Sequence, residues 1–171
     1  MKREGKYWLY YSAGTVFLPD ALYFEPTYIG LARSDNLLGP YQKETEPLIS
    51  PAADDPYRNM GAGSMKVLER EWNGRLIGFN NGIYRDAEGN SRSAIMIISS
   101  LDGISWSNLC PGPIISPEPG WKQAFVYAFD VRRVGQELWL YYNARDGWFK
   151  GRERLGLAVL HPPHSLEECL N

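Results

Sequence analysis

The stretch Tyr7-Trp8-Leu9-Tyr10-Tyr11-Ser12-Ala13 returns as Leu76-Ile77-Gly78-Phe79-Asn80-Asn81-Gly82 and again as Leu138-Trp139-Leu140-Tyr141-Tyr142-Asn143-Ala144. Each copy reads as a short buried strand ending in small or polar residues, and recurrence of one unit marks a repeat architecture. A second strand follows each: Tyr28-Ile29-Gly30-Leu31-Ala32, Ala94-Ile95-Met96-Ile97-Ile98 and Leu155-Gly156-Leu157-Ala158-Val159. The first two copies continue alike. Ser34 to Tyr41 matches Ser100 to Trp106, and Pro47-Leu48-Ile49-Ser50-Pro51 matches Pro113-Ile114-Ile115-Ser116-Pro117. Pro47 and Pro113 lie 66 positions apart, as do Ser34 and Ser100. One more strand precedes the second and third copies, Gly63 to Leu68 and Ala128 to Val134. The unit is four antiparallel strands, and radial repetition of such sheets gives a β-propeller, which leaves only short protected edges. A β-sandwich shares the composition but does not require a turn and a Pro-x-Ile-Ser-Pro strand to recur at one period. The expected fold is therefore all-β, a β-propeller of four-stranded antiparallel blades with about two and a half to three blades in this chain. One domain over 1–171 is expected, in units near 1–51, 52–117 and 118–171.

Composition agrees. The 171 residues, 44% hydrophobic and 22% charged, describe one ordinary soluble domain and exclude disorder and collagen. A chain of this size buries roughly 70% of the surface its unfolded form exposes, so no metal or disulfide staple is required. Eleven Tyr and six Trp, beside 17 Gly and 12 Pro, suit pleated surfaces punctuated by turns. With 18 basic against 20 acidic residues there is no positive field for a polyanion, so nucleic acid and anionic membrane are excluded as partners and a neutral ligand fits better. Cys110 and Cys169 lack CxxC spacing, and His161 and His164 bracket two prolines without neighbouring acids, so no metal site or cofactor is expected. No apolar run approaches a signal or membrane segment, which predicts a soluble, cytoplasmic chain.

The turn Ser100-Leu101-Asp102-Gly103-Ile104-Ser105-Trp106, its partner Ser34 to Tyr41 and the Pro-x-Ile-Ser-Pro strands resemble the five-bladed propeller glycosidases, nearest to glycoside hydrolase families 43, 32 and 130. The resemblance covers nearly the whole chain. It implies a carbohydrate partner and hydrolysis of glycosidic bonds by paired carboxylates. The turn itself reads as structural, with Asp102 capping it and Trp106 packed between blades. Two departures stand out: those families use about twice this length for five blades, and the first unit here lacks its innermost strand. The chain is expected to be part of a longer protein or to self-associate through its uncovered blade edges.

Loops between second and third strands are long, near Gly14 to Pro26, Ile83 to Ser93 and Arg145 to Arg154, and share one face with the starts of the innermost strands. Long loops on a rigid scaffold carry binding groups. On that face the sequence places Asp20, Tyr23, Glu25, Tyr84, Arg85, Asp86, Arg145, Asp146 and Trp148. Acids, arginines and flat aromatics are what sugar hydroxyls and C–H faces require. The substrate-binding candidates are Glu25, Tyr84, Arg85, Arg132, Arg145 and Trp148. The resemblance places acids at the starts of three innermost strands. Here Ser64 stands in one of those places and only Asp130 matches, so Asp130 is the first catalytic candidate, or else an ion-paired structural carboxylate beside Arg132. Asp86 and Asp146 are the candidate proton donors. Trp8 and Trp139 are expected in the core, and Trp148 exposed. The alternative to an enzyme is a non-catalytic propeller fragment that binds a sugar or a protein.

Overall fold

In the computed structural model, which describes residues 1–161, the chain forms thirteen strands: β1 (Lys2–Arg3), β2 (Lys6–Ala13), β3 (Val16–Leu18), β4 (Tyr23–Glu25), β5 (Tyr28–Ser34), β6 (Gln42–Lys43), β7 (Met65–Val67), β8 (Leu76–Arg85), β9 (Ser91–Ser100), β10 (Ser107–Asn108), β11 (Phe125–Val134), β12 (Glu137–Arg145) and β13 (Glu153–Leu160). No helix occurs among the described residues. Blade 1 is β1-β2-β5-β6, blade 2 is β7-β8-β9-β10 and blade 3 is β11-β12-β13. Strands within each blade pair antiparallel. Blades 2 and 3 touch edge to edge through one parallel pair, Phe125 with Ser93. The fold is the expected all-β propeller arc.

The repeat is visible in the pairing itself. Ile29 bridges Ile49 in blade 1, and Ile95 bridges Ile115 in blade 2 at the same 66-residue offset, so the Pro-x-Ile-Ser-Pro runs are single-bridge outer strands. Trp8 and Tyr10 sit 6.4 Å apart at 48°, and Trp139 and Tyr141 repeat this at 6.4 Å and 54°. The S-x-D-G-x-x-W turn is structural as read: Asp102 accepts the backbone N–H groups of Ile104 and Ser105, which hold its carboxyl well below the usual range. Trp106 donates to Gly103 O and meets Tyr10 edge-on between blades 1 and 2.

Two expectations need correction. The innermost strand of blade 1 is not wholly missing: Lys2–Arg3 fills its place, joined to β2 by a turn in which Glu4 and Gly5 both take positive φ, as Asn73 and Gly74 do between β7 and β8. Trp139 is not core. It is half-buried, although its register is that of buried Trp8. Trp8 looks towards blade 2, whereas the equivalent face of blade 3 has no described blade against it, so Leu155, Leu157 and Val159 beside Trp139 are exposed too.

Two apolar clusters join the blades. Ile29, Ile49, Met96 and Ile98 pack between blades 1 and 2, while Ile77, Phe79, Ile97, Val131, Leu138, Leu140 and Tyr142 pack between blades 2 and 3. Alternation along each strand sends one set each way. Buried Asn80 and Asn81 stitch the innermost segments to this core, donating to Ala62 O and Ser64 O and to Val126 O respectively. Gly63 has φ +55, and a Cβ there would stand 2.2 Å from Asn81 O, which is why the run Gly61-Ala62-Gly63 is small. Cys110 is buried in the cluster between blades 2 and 3; Cys169 and His164 lie outside the described residues.

Candidate functional site

The starts of β7 and β11 and the β2–β5, β8–β9 and β12–β13 loops lie on one face, as expected from chain direction. Their lengths differ from expectation. β8 runs to Arg85 and β9 begins at Ser91, so the middle loop is only Asp86 to Asn90, closed by Asp86 accepting Asn90 N at 2.8 Å. The first loop contains its own hairpin, β3–β4, which pairs with no other sheet.

Ser91 and Arg92 tie the three loops together. Asp20 from the first loop accepts Ser91 N at 2.6 Å, and Trp148 from the third donates to Ser91 O at 2.7 Å. The Arg92 guanidinium holds Asp86 at 2.6 Å, donates to Gln123 O and lies 4.8 Å over the Trp148 ring. Burial raises the Asp86 pKa, but the Arg92 hydrogen bond and charge, with Asn90, outweigh it and keep the carboxylate ionised. Asp86 thus braces its own loop and anchors Arg92. Trp148 is half-buried, not exposed, because its indole covers the cluster of Leu18, Ala21, Ile83, Ala124 and Phe125. Trp148→Ala is therefore expected to cost about 2–3 kcal/mol, below the range of fully buried aromatic deletions because the ring is half-buried, and a melt unchanged from the parent would refute this packing.

Next to this rim is a cleft of about 20 Å³, lined by Leu18, Ala21, Tyr23 and Glu25 from the hairpin and by Phe125, Tyr127, Arg145 and Glu153 from blade 3. A β-bulge at Ala128, with φ 43, keeps Phe125 and Tyr127 turned to this side. Burial pushes Glu25 up to about 7, so a good share of its carboxyl still carries a proton near neutral pH. Tyr127 donates to Glu153 Oε1 at 2.5 Å; burial and then that carboxylate push its phenol well up. Arg145 Nε is buried with no hydrogen-bond partner. The cleft thus gathers a neutral carboxylic acid, a carboxylate held by a phenol and an unsatisfied guanidinium donor. That set can give and take a proton and bind a hydroxyl.

Other candidates fall elsewhere. Asp130 lies half-way down β11, opposite Tyr141, not at the strand start, and is held by Lys66 at 2.7 Å and Arg132 at 2.8 Å. Burial alone would raise its pKa; Lys66 and then Arg132 reverse the sign. Arg132 is mostly exposed and borders a separate groove between the inner strands, far down from the loops. Asp146 caps its loop by accepting Arg152 N and pairs with Arg154, which lower its pKa in that order. Tyr84 is buried edge-on to Tyr57, and Arg85 donates to Gly89 O; neither lines the cleft. Of the candidates named from sequence, Glu25 and Arg145 come together, and Tyr23 joins them. Tyr127 and Glu153 were not foreseen. Their signal was position alone, one near the start of an innermost strand and one at the start of β13, without a motif to mark either.

No family model and no curated protein matches the chain. Solved structures match its fold. A complex of BT0996 with RGII superposes with a TM-score of 0.70 at 14% identity, over 92% of this chain and 47% of that one. Sucrose-6-phosphate hydrolase from Lactobacillus gasseri gives 0.68 at 17% identity, over 92% and 30%. Zg3597, a family 117 glycoside hydrolase of Zobellia galactanivorans, gives 0.65 at 16% identity, over 95% and 51%. The chain spans about half the length of these proteins or less. The fold is that of the propeller glycoside hydrolases.

Proposed function

We propose that this chain is carbohydrate-active and hydrolyses glycosidic bonds on its long-loop face, with Glu25 as proton donor and Glu153 as the partner carboxylate. The single observation that carries this reading is the cleft to which two different blades contribute a half-buried Glu25, its carboxyl raised to about 7, and a phenol-held Glu153. Glycoside cleavage uses a pair of carboxyl groups, one of them as proton donor, and burial suits Glu25 to that part. In the reaction Glu25 gives its proton to the leaving oxygen as the bond to the anomeric carbon breaks. Water adds to that carbon and loses its proton to Glu153. Tyr127 keeps the Glu153 carboxylate oriented, and Arg145 Nε is a donor for a substrate hydroxyl. Asp86, Asp130 and Asp146, each ion-paired, serve the scaffold.

The test is a screen of purified protein against aryl glycosides and oligosaccharides. Turnover supports the enzyme. Saturable sugar binding without turnover favours the second reading, a binding module, for which the Ser64 hydroxyl in place of an acid is the motivating observation. The apolar face of blade 3 supports self-association: Leu155 is 70% exposed and Leu157 46%. Sedimentation at micromolar concentration is expected to give a species larger than 19.4 kDa, and a clean monomer would count against it.

A further inference from the structure

The β3–β4 hairpin belongs to blade 1 by sequence yet forms half the wall of a cleft whose other half is blade 3. Its two strands pair only with each other, Val16 with Glu25, Phe17 with Phe24 and Leu18 with Tyr23. The inner face carries buried Leu18 and half-buried Val16 and Glu25; the outer face carries Phe17 and Phe24, exposed and in contact at 4.9 Å. Gly14, at φ +67, and Pro26 bound the segment, and Thr27 N donates to Ala13 O across its base. At the far end a single carboxylate, Asp20, reaches Ser91 N. The hairpin is thus hinged at one end and latched at the other. About 20 Å³ holds one water and no sugar ring, so a ring enters between Glu25 and blade 3 only when the hairpin lifts.

What holds it down is apolar burial of Leu18 and Ala21 together with a carboxyl that is comfortable there only while neutral. Around Glu25 stand Tyr23 on its own hairpin, Tyr127 from β11, Arg145 from β12 and Glu153 from β13. An ionised Glu25 would sit beneath the hairpin with part of its hydration shell removed, although Glu153 across the cleft is open to water. We infer that the β3–β4 hairpin is a proton-operated lid: Glu25 in its neutral form keeps it seated on blade 3, and loss of that proton from its half-buried place releases it. Burial is what raises Glu25 in the seated state. Lifted into water, the same group returns to an ordinary carboxylate. Opening therefore becomes easier as pH climbs from the ordinary carboxylate range towards about 7, and gains nothing further above that. Lids of this kind gate access and product release.

The lid rests on the cleft assigned above but is tested without any sugar, so it can stand if hydrolysis fails and fall if hydrolysis is found. Hydrogen exchange is followed on the full chain at pH 5 and pH 8, with rates corrected for the intrinsic effect of pH. Protection of the 16–25 segment is expected to fall at least about tenfold relative to the 76–85 segment, and the fall should vanish in Glu25→Gln. Equal protection at both pH values in the parent protein overturns the lid, as does an undiminished fall in Glu25→Gln. If that variant does not fold, the parent's own pH profile supplies the second test: protection of the 16–25 segment must fall between the ordinary carboxylate range and about 7 and level off above it, and a fall confined to higher pH overturns the inference.

Discussion

Glu25→Gln is expected to lower turnover of a glycoside with a poor, alkoxide-like leaving group by about two to four orders of magnitude, the range for loss of a general acid. The amide is nearly isosteric and cannot give a proton. The same substitution should cost much less with a dinitrophenyl glycoside, whose leaving group departs without protonation, and this split separates lost acid catalysis from a damaged site. The pH profile should change with it. In the parent, the proposed activity is expected to require protonated Glu25 and to fall as pH rises through about 7; in Glu25→Gln that limb should disappear. Stability follows the same sign. A carboxyl whose folded pKa is raised favours the folded state when protonated, and that contribution is lost as pH rises from the unfolded value towards about 7. Glu25→Gln should therefore be slightly more stable than the parent at pH 8. Equal losses on both substrates, with an unaltered profile, would remove Glu25 from the chemistry.

Gly63→Ala should produce the largest loss of stability. The added methyl would lie 2.2 Å from Asn81 O and 2.7 Å from Asn81 Oδ1, neither of which can retreat, because Asn81 is buried and donates to Val126 O in blade 3. The backbone at φ +55 adds strain for any residue with a Cβ. Crowding and strain together are expected to cost at least about 3 kcal/mol. For a domain of this size that lowers the melting temperature by roughly 6–12 °C. Gly74→Ala, at φ +72 but with open space around it, isolates the backbone part alone and should cost about 1 kcal/mol. If the two variants melted alike, the close approach of Gly63 to Asn81 would not be a constraint on the fold.

The blades were legible in the sequence because each strand must satisfy a period of two and each turn needs particular residues, and both leave marks in a single chain. The 66-residue offset carried over directly into the Ile29–Ile49 and Ile95–Ile115 bridges. Trp139 shows where such reading stops. Its register could be inferred, but burial depends on what packs against the face, which is not a local property. Trp148 and Asp86 show the same limit in reverse. A tryptophan and an acid in loops look solvated until Arg92, six residues from Asp86 and already on β9, is seen to hold both. The cleft was half legible. Glu25 and Arg145 were named for their type and loop position, whereas Tyr127 and Glu153 depend on a bulge at Ala128 and on a hairpin crossing from blade 1 to blade 3, neither written in any spacing.

The matching geometry of Trp8–Tyr10 and Trp139–Tyr141 has an evolutionary consequence. Blade 3 rebuilds, on its outward side, the aromatic surface that blade 1 offers to blade 2. A blade that fits one of these surfaces is already close to fitting the other, so a duplicated copy of the middle unit could dock at the end of the arc with few adjustments. Growth by tandem copying would then need no new interface to arise first, and the shared 66-residue offset of the first two units reads as the residue of such a history.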